Sequence, residues 1–421
     1  LMAVDFRKVL SKFTSGDESS SALGEFYCLP IFTCAGLMWM ASATNLVSTF
    51  VALELVTISF YVMVAFMRRN VGSLEAGVKY LILGALSTGF LVYGIAWIYG
   101  TMGTSFNDFG ITLFPDPVLY LQERSAVPVL FGIALILIAM GFKVGAAPMQ
   151  LWIPDVYQGA PTPITAYLSV ASKAAGFVVL WKIIGPFLNW EVTAYHVSFM
   201  VAIMAGASLL YGNLAALGQG NFKRLLAYSS IAHAGFLLMG IAANDFNSVS
   251  FYLGTYLLMT FAAFFVLALV RSQSGSDSMD AFDGLGKRNP LLAATLTIAM
   301  AALAGIPLTA GFVGKFYVFY AALSNGISIW LLIVAFIGVA AGFYYYLKVV
   351  KAMYWHAPQT DSSIEVPMIS KAVLVVLTAG ILILGVYPLP LENISTIDLS
   401  PGVEQVLDME LPSEAPGAHK H

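Results

Sequence analysis

The stretch GFKVGAAPMQLWIPDVYQGAPTPITAYLSVASKAAG, residues 141–176, decides what kind of molecule this chain is. It is apolar and rich in small side chains, yet it holds two lysines, Lys143 and Lys173. Gly141, Gly145, Pro148 and Pro154 crowd around the first of them. Proline removes a helix hydrogen bond and glycine loosens the turn, so a helix is interrupted here beside a cation. Lys173 lies deep in the next helix among alanines, which leave room for water.

The rest of the chain agrees with a membrane setting. It is 59% hydrophobic and only 10% charged, with a mean hydropathy of +0.82, where soluble domains carry about 25% charged residues. The apolar runs are long and continuous, unlike the alternating segments of a membrane β-barrel. The chain is therefore an all-α polytopic membrane protein. A net charge of -3 points to no nucleic-acid partner, and Cys28 and Cys34, in one apolar run, read as membrane-buried thiols and not as a disulfide or metal site.

Hydropathy predicts about eleven spans: 27–44, 46–67, 74–100, 126–147, 160–186, 195–217, 224–243, 248–271, 290–324, 326–354 and 368–389. The ninth is too long for one uninterrupted helix. Residues 1–26 read as the end of an earlier helix and a Ser-rich loop, with upstream helices missing. Sorting the cations to alternate sides places Arg7, Lys8, Lys12, Arg68, Arg69, Lys223, Arg224, Arg271, Lys287, Arg288, Lys348, Lys351 and Lys371 on one side and only Arg124, Lys420 and Lys182 on the other. The positive-inside rule makes the first side cytoplasmic. The acidic tail, 390–421, is then extracytoplasmic.

Glu54, Lys79, Lys143, Lys173 and Lys315 all fall inside membrane-length apolar stretches. At roughly 2.5–3.5 kcal/mol each on the translocon scale, the five cost about 12–17 kcal/mol. Buried ionisable groups in a membrane read first as an ion path or proton relay. They lie on different helices, which points to a relay and not to one pocket.

The sequence also repeats itself. Lys143 and Lys315 are 172 residues apart, Tyr80 and Tyr256 are 176 apart, and Glu54 and Tyr228 are 174 apart, each pair in similar apolar surroundings. The offset spans five helices, so the copies are inverted, at 27–190 and 195–355, followed by a last helix at 368–389. Gly305, Pro307, Gly311 and Gly314 interrupt the region before Lys315, as glycines and prolines do around Lys143. On this reading Lys315 is the second-repeat match of Lys143.

The opening stretch, with SLEAGVKYLILGALSTGFLVYG (73–94), FKRLLAYSSIAHAGFLLMG (222–240) and LAGIPLTAGFVGKFYVF (303–319), resembles the antiporter-like membrane subunits of respiratory complex I, an NADH:quinone oxidoreductase. WIPDVYQGAPTP (152–163) is most similar to the subunit N branch. The resemblance covers about residues 27–390. It implies the last eleven of the family's usual fourteen helices, with the first three absent. It further implies a proton-translocating subunit of a bacterial inner membrane, with a mitochondrial location the lesser reading. Flavin, iron–sulfur clusters and quinone would belong to partner subunits, with no cofactor in this chain. Its partners would be an adjacent antiporter-like subunit, small membrane subunits, lipid, protons and internal water. The alternative is a subunit of a Mrp-type or hydrogenase-linked cation/proton antiporter.

The resemblance also implies roles. Glu54 would pair with Lys143, the broken-helix lysine; Lys173 would be the central connecting lysine; Lys315 would be the exit-side proton carrier. From the residues alone, each has a plainer reading: a static ion pair for Glu54 and Lys143, a snorkelling side chain for the others. His233 sits at mid-helix depth and is either a proton carrier near neutral pH or a satisfied packing donor. Tyr228 has the same two readings. Glu75 and Lys79, spaced i,i+4, are either relay members or a wetted surface pair. Asp155 reads as structural or as an entry-side group.

Overall fold

A computed structural model describes residues 2–14, 22–102, 126–358 and 363–391. The tail expected outside the membrane, together with Arg124 and Lys420, lies outside the described residues. Among those residues the regular elements are helices. After two short segments, Met2–Asp5 and Arg7–Thr14, the order is α1 (Ala22–Ser42), α2 (Leu46–Val64), α3 (Val71–Met102), α4a (Val127–Val144), α4b (Trp152–Gly159), α5 (Thr162–Asn189), α6 (Glu191–Leu217), α7 (Phe222–Ala242), α8 (Phe246–Ser274), α9a (Pro290–Ala304), α9b (Ala310–Ser324), α10 (Ile329–Trp355) and α11 (Met368–Val386). Nine helices are long and apolar enough to cross a membrane among the described residues. With α1 and the broken α9 they make up the eleven spans. Ser11, expected in a loop, is helical, because Arg7–Thr14 carries one more amphipathic turn.

The order repeats itself, α1 to α5 against α6 to α10, and local chemistry marks matching places. Asn45 caps α2 by accepting from the Ser48 amide at 2.7 Å. Asn221 caps α7 by accepting from the Arg224 amide at 3.1 Å. Each satisfies an orphan N–H at a helix start. α4a ends at Gly145, with φ 75°, and α9a ends at Gly305, with φ 89°. The following amides reach back five residues, Ala146 to the Gly141 carbonyl at 2.8 Å and Ile306 to the Ala301 carbonyl at 3.0 Å. Both breaks are thus the same left-handed glycine cap, followed by a proline that cannot resume the helix. The ninth span divides here for that reason.

α7 is the axis. Every residue of its apolar window is covered by protein. It packs on α6 at very close range: a Cβ added at Gly212 would stand 2.5 Å from the Ala232 nitrogen, and one added at Gly235 would stand 2.9 Å from the Ala205 carbonyl oxygen. Small residues are how membrane helices approach without a hydrophobic drive between them. α4b and the start of α5 lean on α7 and α8, which joins the two halves.

Candidate functional site

Four ionisable groups lie buried along the centre of the bundle: Lys143 (4% exposed), Lys173 (3%), His233 (2%) and Lys315 (6%). Glu54, on α2, is half-buried at one end of the series. It does not touch Lys143. Its Oε1 accepts from the Thr88 hydroxyl at 2.6 Å, while the Lys143 amine reaches the Thr57 hydroxyl, one turn beyond Glu54, at 3.5 Å. Thr57, Thr88 and Lys143 line one small cavity, about 10 Å³ to a water's centre. That is roughly the room one water needs.

Lys143 and Lys173 pack on each other's helices. A Cβ at Gly176 would meet the Lys143 Cγ at 3.3 Å, and one at Gly145 would meet the Lys173 Cε at 3.4 Å. Both stems fit because glycine stands opposite. Lys173 follows directly on a π-helical turn, Leu168–Ser172, a distortion common at functional sites. Its amine donates to the Ser230 carbonyl of α7 and stands 5.7 Å from the Tyr256 ring centre. The Ser230 hydroxyl meets the Tyr157 hydroxyl at 3.1 Å.

His233 lies one turn beyond Ser230. Its Nδ1 is 2.6 Å from the Tyr252 hydroxyl and its Nε2 is 3.0 Å from the Tyr346 hydroxyl. The Tyr256 ring lies 5.2 Å away, on the side of Lys173. Towards Lys315 stands Phe236, whose ring centre is 6.3 Å from the imidazole and 5.1 Å from the lysine amine.

Lys315 donates to the Leu303 and Ala304 carbonyls at 2.8 and 2.9 Å. These are orphan acceptors at the end of α9a, where the helix dipole also favours a cation. Lys143 lies within the last turn of α4a itself, and the Phe142 carbonyl there is satisfied by the Trp152 indole at 3.1 Å. So the two lysines stand on opposite sides of their breaks. With Gly145 and Gly305 superposed, the position matching Lys143 is Leu303, not Lys315. The expected equivalence is corrected, although both amines sit at the negative end of a broken half-helix.

Three candidates lie elsewhere. Lys79, 43% exposed, pairs with Glu75 at 2.7 Å and with Asp155 at 2.7 Å. Asp155 also binds Arg224 at 2.8 Å. Partial burial works to raise the Asp155 carboxyl, but the hydrogen bonds from Lys79 and Arg224 outweigh it and hold the group below its ordinary range. The Tyr228 hydroxyl accepts from Arg224 at 3.4 Å and joins this cluster, not the histidine. Lys223, sorted among the loop cations, is fully buried: it donates to the Ala160 carbonyl at 2.8 Å and faces Asp277 at 3.9 Å. No cluster of three or more His, Cys, Asp or Glu fit for a metal occurs among the described residues.

Sequence reasoning missed the hydroxyls between the charges: Thr57, Thr88, Ser230, Tyr252, Tyr256 and Tyr346. Thr57 alone carried a signal, its i+3 spacing from Glu54.

Residues 43–343 match the family described as NADH:quinone oxidoreductase/Mrp antiporter, TM. A relative from Chloroherpeton thalassium, named NADH-quinone oxidoreductase subunit N 2, is 40% identical over 383 residues, covering 88% of this chain and 74% of the relative. Subunit N 1 of Opitutus terrae is 44% identical over 355 residues, covering 80% and 69%. Among solved structures, a chain of respiratory complex I from Thermus thermophilus superposes with a TM-score of 0.76 at 31% identity, over 93% of this chain and 85% of that one. A chain of the Mrp complex from Dietzia shares the fold, with a TM-score of 0.76 at 20% identity, over 94% and 79%.

Proposed function

We infer the role of this chain from one premise: it belongs to the NADH:quinone oxidoreductase/Mrp antiporter transmembrane family, in its subunit N branch. It is an antiporter-like, proton-translocating membrane subunit of NADH:quinone oxidoreductase, and it sits with other membrane-arm subunits. As a part of that oxidoreductase complex it does no redox chemistry of its own on our reading; flavin, iron–sulfur and quinone chemistry belongs to its partners.

The proposed proton series runs Glu54, Lys143, Lys173, His233, Lys315. The observation that carries it is the succession of these groups through the buried centre: Glu54 and Lys143 at hydroxyls on one small cavity, Lys143 and Lys173 packed across glycines, Lys173 and His233 about the Tyr256 ring, and His233 and Lys315 about Phe236. Protons cross such gaps through bridging waters. Each ammonium rests on neutral acceptors, so a proton can leave without stranding a buried anion. Driving one charge against the membrane takes about 2.3 kcal/mol per 100 mV, and several carriers in series divide that into small steps. The halves 27–190 and 195–355 act as inverted repeats, placing the breaks at similar depth. The basic ends of the helices face the cytoplasm of a bacterial cell, with the C-terminus outside.

Glu75, Lys79 and Tyr228, gathered with Asp155 and Arg224 at the basic end, clamp α4b to α3 and α7. They stand outside the series.

Lys143→Ala in the whole complex, reconstituted in vesicles, tests the reading. Normal assembly with a severalfold loss of pumped protons per electron pair is expected. Normal assembly with unchanged pumping would remove Lys143 from the series.

A further inference from the structure

Each broken helix is met at its break by the helix that follows its own repeat. α6, the first helix after α1 to α5, runs past the end of α4a, and Ser208 stands there. Its hydroxyl accepts from the Ala147 amide at 2.9 Å and donates to the Met204 carbonyl at 2.6 Å. Ala147 lies two residues past the Gly145 cap, where the break leaves its N–H without a helical acceptor. Met204, one turn earlier on α6, rests on Gly141: a Cβ there would stand 3.0 Å from the Met204 Cε. Ser208 is fully buried.

α11, the first helix after α6 to α10, meets the second break by different means. It packs on α8 and on both halves of α9. Counted from the caps Gly145 and Gly305, the residue matching Ala147 is Pro307, which has no N–H to give. Here the backbones touch instead. A Cβ on Gly385 would stand 2.4 Å from the Leu308 carbonyl oxygen and 2.6 Å from the Thr309 carbonyl carbon. Leu308 is left-handed at φ 69°, a strained conformation for a residue with a Cβ, kept only where the surroundings impose it. Its side chain is 69% exposed, so the constraint comes from the backbone packed around it. Two turns before Gly385, the Thr378 and Thr295 hydroxyls meet at 3.2 Å and fasten α11 to α9a. Ser208 and Gly385 are 177 residues apart, against 176 for the helix caps Asn45 and Asn221, so the contact recurs with the repeat.

We propose that α6 and α11 are props for the two breaks, and that Ser208 and Gly385 are positioning residues for Lys143 and Lys315 respectively. The inference rests on the proton series above for its function, though not for the contacts themselves. Lys143 lies in the last turn before Gly145, four residues from Ala147. Holding the Ala147 amide fixes the end of α4a and with it the root of the lysine stem. Lys315 reaches back across the second break to the Leu303 and Ala304 carbonyls. Its acceptors and its own helix, α9b, are joined through the Leu308 peptide that Gly385 braces. Protons pass only between groups held within hydrogen-bond reach, directly or through one water. A break that flexed freely would carry either amine out of that reach.

The test is hydrogen exchange, read by mass spectrometry on the assembled complex in lipid, over the stretches 145–151 and 305–311. Ser208→Ala should speed exchange in the first by roughly fivefold, the population worth of one net hydrogen bond, and leave the second unchanged. Gly385→Ala should speed exchange in the second alone. That variant carries a backbone clash; should it fail to assemble, Thr378→Val loosens α11 without adding an atom at the break, and the same pattern is expected of it. In vesicles, Ser208→Ala should lower the protons pumped per electron pair. That loss should vanish in the Lys143→Ala background and persist in Lys315→Ala. Exchange unmoved in both stretches, or moved alike in both by each variant, overturns the props. A Ser208→Ala pumping loss that is absent, or equal with and without Lys143, overturns the positioning role. Exchange shifts confined to each break beside normal pumping in Lys143→Ala vesicles would sink the series and leave the props standing.

Discussion

Glu54 and Lys143 do not pair: the carboxylate accepts from Thr88 at 2.6 Å, the amine reaches Thr57 at 3.5 Å, and both threonines line one small cavity beside Lys143. Any coupling between the two runs through that cavity wall.

A double-mutant cycle on Glu54→Gln and Lys143→Ala should therefore show a coupling of about 0.5–2 kcal/mol, towards the low end for residues in one network. Glu54→Gln should harm pumping less when Lys143 is already neutral. Thr88→Val should weaken the coupling by freeing the carboxylate from the cavity wall. Strict additivity in pumping rates would show that the cavity transmits nothing.

Gly305→Ala should disturb Lys315 specifically. The residue is left-handed at φ 89°, and a Cβ would stand 3.1 Å from the Lys315 Cδ. The backbone strain alone is worth about 1–2 kcal/mol. The unfolding free energy in detergent should fall by that amount, with a pumping loss larger than for Gly326→Ala, where φ is also positive but nothing stands within 4 Å. Equal pumping in the two variants would separate the cap from the lysine.

Asp155 predicts an acid dependence. Its carboxyl is held below the ordinary range by Lys79 and Arg224, against the opposing push of burial. A lowered carboxyl adds stability above its unfolded value of about 3.9, and that contribution is lost as pH falls through the lower folded value. Lys79 is well exposed, so screening keeps the effect modest. Asp155→Asn should unfold at a lower temperature than wild type near neutral pH, and the gap should close on acidification below about pH 4. A gap that widens with acid would reverse the assignment.

Lys223→Ala should destabilise the chain without entering the proton series. It strips a donor from the Ala160 carbonyl in a fully buried site, a loss of about 1–3 kcal/mol. Asp277 keeps Arg271 at 2.6 Å, which limits the damage. Unfolding midpoints should fall while pumping per assembled complex holds.

The charges were legible because a lysine inside an apolar span has nothing ordinary to explain it. Glu54, Lys143, Lys173, His233 and Lys315 stood out on that ground, and the glycine–proline clusters marked both breaks. The hydroxyls did not stand out, since Ser, Thr and Tyr are common in membrane helices and only their three-dimensional neighbours distinguish Tyr252 from Tyr320. The false match of Lys143 with Lys315 has a definite origin. The caps Asn45 and Asn221 lie 176 residues apart, but the breaks at Gly145 and Gly305 lie only 160 apart. The connection before α4a, 103–126, is longer than that before α9a, 275–289, so a single offset cannot align both. For Lys79 and Tyr228 the sequence left two readings open, because periodicity gives depth along a helix but not the ion cluster with Asp155 and Arg224 at its end.

α7 has no face that meets lipid. Its apolar length can rest in lipid alone, but its first turn holds Lys223, whose amine finds its acceptor at the Ala160 carbonyl. Its final seating therefore needs its neighbours, α6 and α4b above all, packed beside it. Maturation of this subunit then has a built-in checkpoint: the histidine cannot meet Tyr252 and Tyr346 until the bundle has closed around it. A half-assembled chain would not have a leaky proton path, because it would not yet have one at all.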